Sequence, residues 1–355
     1  MNQNQSINGQ GYNGNSLVKR DGITHNYTPD EIGEYQKCMK NPVYFAKKYV
    51  KVINLDKGLV PFDLYPYQEK MFEHFNNNRF SVVLACRQSG KSISSVVYIL
   101  WYAIFHPEKM VAVLANKGAT AREMLARITL ALENLPFFLQ PGCRVLNKGS
   151  IEFSNNSKII AAATSASSIR GQSVNLLFLD EFAFVENAST FYTSTYPVIS
   201  SGKETKVIIA STPNGIGNMF YKIWEGAVQK ANEFISFRVD WWDVPGRDEA
   251  WKKQTISNTS ETQFAQEFGN EFIGSSTTLI SADCLLGLKT KEPIKTVRNI
   301  KIYEEPQSEH TYIMTVDVSK GRGQDYSTFT VFDISSKPFK QVCTYRNNMI
   351  SPLLL

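Results

Sequence analysis

Residues Cys86-Arg87-Gln88-Ser89-Gly90-Lys91-Ser92 follow a short apolar run, Ser81 to Leu84, and precede a long one. A backbone able to curl around phosphates, an ammonium that reaches β- and γ-oxygens, and a hydroxyl that can ligate magnesium make this segment a phosphate-binding loop. Ser89, Gly90, Lys91 and Ser92 are its nucleotide-binding residues, and Ser92 is also a metal ligand. The first glycine of the usual G-x-x-x-x-G-K-[ST] pattern is replaced by Ala85. Arg87 lies inside the loop, where a guanidinium on the γ-phosphate is worth about 10³ to 10⁵ in turnover.

About ninety residues on, Leu176-Leu177-Phe178-Leu179-Asp180-Glu181 reads as a buried strand ending in two carboxylates. A parallel strand of an α/β sheet delivers such side chains to the nucleotide crevice. Asp180 is expected to hold magnesium through water and Glu181 to orient and deprotonate the attacking water. Leu64-Tyr65-Pro66-Tyr67-Gln68-Glu69 comes just before the loop, where the Gln68 amide offers a donor and an acceptor to an adenine edge, favouring ATP.

Three further constellations carry weaker signals. Arg170, in Ser168-Ile169-Arg170-Gly171-Gln172, is as compatible with a surface ion pair as with a phosphate contact. Ser211 and Thr212 end the apolar run Val207 to Ala210, where hydroxyls beside the crevice can sense the γ-phosphate and couple its loss to movement. Asp317 ends a strand pattern, with Asp325 across a hairpin. An aspartate in a strand core needs a partner or a metal, so both are candidate magnesium ligands, with turn capping or an ion pair as the open alternative.

The elements that must position these groups alternate along the chain. Ser81 to Ala85, Met110 to Leu114, Ile159 to Ala163, Leu176 to Leu179 and Val207 to Ala210 read as strands, with helices over Lys91 to Phe105 and Ala119 to Leu132. The alternation predicts a P-loop, doubly wound, mainly parallel α/β sheet. Thr28-Pro29 and Asn41-Pro42 each place a capping side chain before a proline, predicting two successive helices. Residues 1–27, rich in Asn, Gln and Gly, are expected to form a disordered tail. The expected divisions are an ATPase domain over 28–235, a tryptophan-rich small subdomain over 236–288 with a helix near Glu261 to Phe268, a lysine-rich linker over 289–311, and a fresh β pattern over 312–355.

At 355 residues, 43% hydrophobic and 20% charged, the chain can bury a large core. Val96 to Phe105, the longest apolar stretch, is too short to span a bilayer, and no charged-then-apolar leader opens the chain. Five scattered cysteines without a C-x-x-C pair fit a reducing cytoplasm. The net charge of +5 permits nucleic-acid contact without requiring it.

Taken together, these residues resemble the large terminase subunit of T-even-like tailed bacteriophages. The resemblance rests on Tyr67-Gln68 as adenine motif, Cys86 to Ser92 as the family's deviant Walker A, and Phe178 to Phe184 as Walker B with catalytic glutamate. Ser211 to Gly215 match the coupling motif and Asp317 to Tyr326 the first nuclease motif. It implies a magnesium-dependent ATPase motor that drives double-stranded DNA into a capsid, as a homo-oligomer on a portal protein and with a small terminase subunit, in the host cytoplasm and without a membrane. Arg87 would then trigger hydrolysis, with Lys91 and Glu181 as its catalytic partners. A ribonuclease-H-like nuclease domain would follow, and because the sequence stops at Leu355 it is expected to be an incomplete and inactive fragment. Two other functions stay open at this point. A helicase-type translocase shares most of the motifs but needs a second RecA-like domain, and a non-catalytic assembly or DNA-binding fragment would keep the nucleotide site as structure only.

Overall fold

The computed structural model describes residues 11–351 apart from 55, 166–168, 170, 201, 274–290 and 322–324. Its first element is a hairpin, β1 (Gly11–Tyr12) and β2 (Asn15–Lys19), inside the stretch expected to be a tail. Local composition misleads here because polar groups of the body seat the hairpin. The Gln140 amide, 1% exposed, accepts from the Lys19 N–H at 2.9 Å and donates to the carbonyls of Leu17, Leu132 and Leu135 at 3.0, 3.0 and 2.8 Å. Val18 is buried, and Tyr27 Oη donates to the Phe138 carbonyl at 3.1 Å. The tail expectation is therefore corrected for residues 11–27, while residues 1–10 lie outside the described ones. Gln140→Ala should lower stability by about 2 kcal/mol, since it strands several buried backbone groups. Urea denaturation measures this, and an unchanged midpoint would mean that the hairpin is not seated in solution.

Helices α1 (Pro29–Lys40) and α2 (Pro42–Tyr49) begin as the caps predict. Thr28 and Glu31 form a reciprocal capping box, and the Asn41 side-chain oxygen Oδ1 accepts from the Val43 and Tyr44 amides. A small hairpin, β3 (Lys51–Asn54) and β4 (Gly58–Pro61), leads to α3 (Pro66–Asn77). The alternating core follows: β5 (Phe80–Ala85), α4 (Lys91–Phe105), β6 (Met110–Ala115), α5 (Gly118–Glu133), β7 (Cys143–Leu146), β8 (Ser150–Phe153), β9 (Lys158–Ala163) and β10 (Leu176–Asp180). It continues through α6 (Ala188–Ser200), β11 (Lys206–Ser211), α7 (Met219–Val228), β12 (Ile235–Val239), α8 (Glu249–Asn258) and α9 (Glu261–Glu267). The five strands read from the sequence recur within a residue of their expected limits at each end, and the helix over Lys91 to Phe105 has the expected bounds.

These strands form one sheet in the order β12-β5-β11-β10-β6-β9-β8-β7, parallel from β12 to β9 with an antiparallel β8–β7 edge. Every residue of β5 and β10 is buried, as strands covered on both faces require. Between them runs β11, so the loop strand and the acid strand are each one strand away from the coupling strand. Register brings their carboxyl ends level: Leu84 pairs with Ser211, and Asp180 with Ala210. A P-loop α/β fold with an inserted central strand is the result. The expected subdomain boundary before Ser236 falls inside β12, which pairs with β5 and belongs to the main sheet.

The chain divides into two compact units, residues 1–282 and 283–355. The second contains β13 (Lys295–Val297), β14 (Ile300–Ile302), β15 (Tyr312–Asp317), β16 (Ser327–Asp333) and β17 (Lys340–Asn347), an antiparallel sheet in the order β13-β14-β17-β16-β15. The segment read as a linker thus supplies two strands, and β14 pairs with β17. Among the described residues no helix is long and apolar enough to cross a membrane.

Candidate functional site

The turn after β5 leads into α4, and no side chain caps that helix. Its first amides are left without intrahelical partners and carry the positive end of the helix dipole, which suits an anion. Gln88 (φ 57°) and Gly90 (φ 76°) both have left-handed backbone, and this shape curls the loop. A Cβ at Gly90 would meet Gln68 Nε2 at 2.6 Å, the end of a side chain that can shift, so it is φ that calls for glycine here.

The acid pair stands opposite. Lys91 Nζ donates to Glu181 Oε1 at 2.7 Å, and Ser92 Oγ donates to Asp180 Oδ2 at 3.4 Å. Glu181 has φ 50°, a left-handed conformation uncommon for a side chain of this size. That sharp turn lets Asp180 stay in the sheet while Glu181, its neighbour, faces the loop lysine. Asp180 is only 3% exposed, and burial raises its carboxyl to about 6, with the Lys91 charge opposing the shift and the Glu181 charge adding to it. Asp180 Oδ1 and Ser89 Oγ are buried with no hydrogen-bond partner among the described residues. A bound cation and phosphates would satisfy such atoms, so Ser92, Asp180 and the loop fit a magnesium nucleotide.

With the folded carboxyl raised above its unfolded value, folding is favoured while Asp180 is protonated. That advantage is lost as pH rises from about 4, the ordinary carboxylate range, towards about 6. Asp180→Asn should therefore match the parent protein below about pH 4 and exceed it above pH 6 by on the order of 2 kcal/mol, or roughly 5 °C in melting temperature. Melting curves of the nucleotide-free protein across pH measure this. A variant that is less stable at pH 8 would contradict a desolvated carboxylate.

The coupling strand is tied to the acid strand. Ser211 Oγ accepts from the Ala183 N–H at 3.2 Å, and Asn214 Nδ2 donates to the Ala183 carbonyl at 3.1 Å, two residues beyond Glu181. Thr212 is buried beside them.

The remaining expected residues divide. Gln68 reaches the site beside Gly90 and is 3% exposed, with its side-chain oxygen accepting from the Tyr65 N–H at 2.9 Å. Arg87 turns to the rim, with Nε 3.3 Å from Glu267 Oε2. Arg170 lies outside the described residues. Asp317 and Asp325 belong to the second unit and are both exposed, so the burial cost that pointed to a metal there does not apply. Among the described residues no group of three or more His, Cys, Asp or Glu is placed to hold a metal ion.

Two further side chains hold the loop from outside, in roles the sequence did not assign them. Tyr67 Oη donates to the Ser89 carbonyl at 2.6 Å, and Arg247 Nη2 donates to the carbonyls of Arg87 and Gln88, each at 3.1 Å. Arg247 follows Pro245-Gly246 in the tryptophan-rich stretch, and only that turn signal marked the position.

The chain is similar to known proteins. Over 315 residues the chain is 24% identical to the terminase large subunit of Thermus virus P23-45, a match covering 80% of this chain and 63% of that protein. Over 303 residues it is 23% identical to the terminase large subunit of Thermus phage G20c, covering 76% and 61%. The chain thus spans less than two thirds of the length of these curated relatives. The crystal structure of the HK97 bacteriophage large terminase superposes with a TM-score of 0.58 at 13% identity, covering 86% of this chain and 67% of that one, a likeness of fold. The family model described as terminase large subunit, T4likevirus-type, N-terminal, matches residues 82–285, which hold the phosphate loop, the acid pair and the coupling strand. That span is more than half of the sequence, and the chain belongs to the T4likevirus-type terminase large subunit family.

Proposed function

We propose that this chain is the ATP-hydrolysing motor of viral double-stranded DNA packaging. The observation that carries the proposal is the convergence, from elements some ninety residues apart, of Lys91 with Glu181 and Ser92 with Asp180 at the mouth of an uncapped helix. Lys91 leaves Glu181 to grip the β- and γ-phosphates of ATP, and Ser89 and Gly90 line the cradle. Ser92 and Asp180 hold magnesium, which when bound neutralises charge developing on the phosphates. Released from Lys91, Glu181 orients water and accepts its proton. Arg87 swings from Glu267 to the γ-phosphate. Ser211 and Thr212 carry the loss of that phosphate to the rest of the motor, since Ser211 and Asn214 hold both sides of Ala183.

The proposed partners are double-stranded DNA, a portal protein, a small terminase subunit and further copies of this chain, working in the host cytoplasm. Residues 312–355 are read as part of a ribonuclease-H-like domain, with Asp317 and Asp325 as candidate ligands of its metal site. A helicase would need a second parallel sheet, whereas the second unit has an antiparallel one.

ATP hydrolysis by the purified chain, with and without double-stranded DNA, tests the proposal. Magnesium-dependent turnover without strand displacement supports it. No turnover even with DNA and portal protein favours an assembly role, strand displacement favours a helicase, and plasmid cleavage would restore the nuclease.

A further inference from the structure

Three successive carbonyls of the phosphate loop are held from outside. Arg247 Nη2 takes Arg87 O and Gln88 O, each at 3.1 Å, and Tyr67 Oη takes Ser89 O at 2.6 Å. In a planar trans peptide the carbonyl of one residue points opposite to the N–H of the next. Fixing these three carbonyls therefore aims the amides of Gln88, Ser89 and Gly90 the other way, and those amides donate to no described residue. An array of free N–H groups in a loop with left-handed residues is an anion cradle. The same guanidinium is tied to α8 and α9. Its carbon lies 4.8 Å from the Trp251 ring and 5.4 Å from the Phe268 ring, Nη1 is 3.4 Å from Cys86 Sγ, and the Arg87 N–H donates to the Glu267 carbonyl at 2.8 Å.

We propose that Arg247 is a positioning residue of the nucleotide site: wedged between Trp251 and Phe268, it turns the loop amides toward the phosphates and joins α8–α9 to nucleotide binding. This rests on the ATPase assignment above. Arg247 touches no substrate in this role, and the amides it aims would contact phosphate equally in the ground and transition states. Its loss is therefore expected to act as uniform binding, raising KM while sparing kcat. A lysine keeps the charge but not the planar fork that spans two carbonyls, so it should restore only part of the affinity.

The test is titration of a fluorescent ATP analogue and steady-state hydrolysis for the parent chain, Arg247→Ala and Arg247→Lys. Circular dichroism and melting curves check that each is folded at the assay temperature. Expected are a rise of about tenfold in Kd and KM for Arg247→Ala, with kcat within about threefold of the parent, and an intermediate Kd for Arg247→Lys. Hydrogen exchange at saturating nucleotide should show slowing across residues 249–267 in the parent but not in Arg247→Ala. A variant with a lower melting temperature but unchanged Kd would overturn the proposal, because packing alone then explains the residue. So would nucleotide-dependent protection of 249–267 that survives the substitution. If Arg247→Ala does not fold, Arg247→Lys decides by the same readings. Should the parent chain bind no nucleotide at all, the ATPase assignment fails instead, a result distinct from equal binding by parent and variant.

Discussion

Glu181→Gln is expected to reduce ATP turnover by about 10³, within the 10² to 10⁴ that a positioned general base supplies, while nucleotide affinity stays within a few-fold of the parent. The two effects separate because of where Glu181 stands. Its backbone is left-handed directly after the buried end of β10, so its side chain faces the loop lysine while Asp180 remains in the sheet. Without nucleotide, Lys91 Nζ sits 2.7 Å from Glu181 Oε1. Glutamine keeps an acceptor for Lys91 but not its charge, so the lysine is freer to meet phosphate and binding does not suffer. What disappears is the basicity needed to take a proton from water. Phosphate release and nucleotide titration on the same preparation measure the two quantities. Turnover within tenfold of the parent would remove Glu181 from the chemistry.

Arg87→Ala should lower kcat by about 10³ with little change in KM, the loss typical of an arginine that meets charge developing on the γ-phosphate. The resting contact of Arg87 is weak enough to exchange. Its side chain is 58% exposed, and its 3.3 Å contact with Glu267 Oε2 is an ion pair without hydrogen-bond geometry. The Arg87 backbone, in contrast, is anchored on both sides by Glu267 and Arg247. A fixed root with a loose head suits a side chain that relocates when ATP arrives. Because Arg87 shares its loop with Lys91, it is expected to act on its own subunit's nucleotide. Mixing Arg87→Ala chains with Glu181→Gln chains should then restore no activity, whereas recovery would place the arginine across a subunit boundary. Unchanged kcat in Arg87→Ala would exclude it from the transition state.

How much was legible differs from residue to residue. The loop, the acid pair and their strands could be read because each signal is local. Gly-Lys-Ser needs its own curl, and an apolar run ending in acids needs a buried strand with a polar edge. Thr28 and Asn41 announced two helices because a cap acts within three residues of itself. The place of Gln68 at the site is legible from its position before the loop, but the bond its side-chain oxygen accepts from the Tyr65 N–H is not, since that bond belongs to the helix start and not to the motif. Asp317 reads as costly because a strand pattern implies burial, whereas most of β15, Asp317 included, is exposed.

The sequence by itself determined which groups are on offer: a Gly-Lys-Ser loop with an arginine, a strand ending in two carboxylates and another ending in two hydroxyls, all on a parallel α/β frame. Only the tertiary structure decided their partnerships. Lys91 meets Glu181 because β11 inserts between β5 and β10 in matched register, and strand order depends on the burial of whole faces. Gln140 seats a hairpin more than a hundred residues away, and Arg247 sets the loop's peptide planes across a similar separation. Such contacts leave no local pattern, because the groups that satisfy a buried carbonyl or amide are chosen by proximity in the folded chain and not by spacing along it.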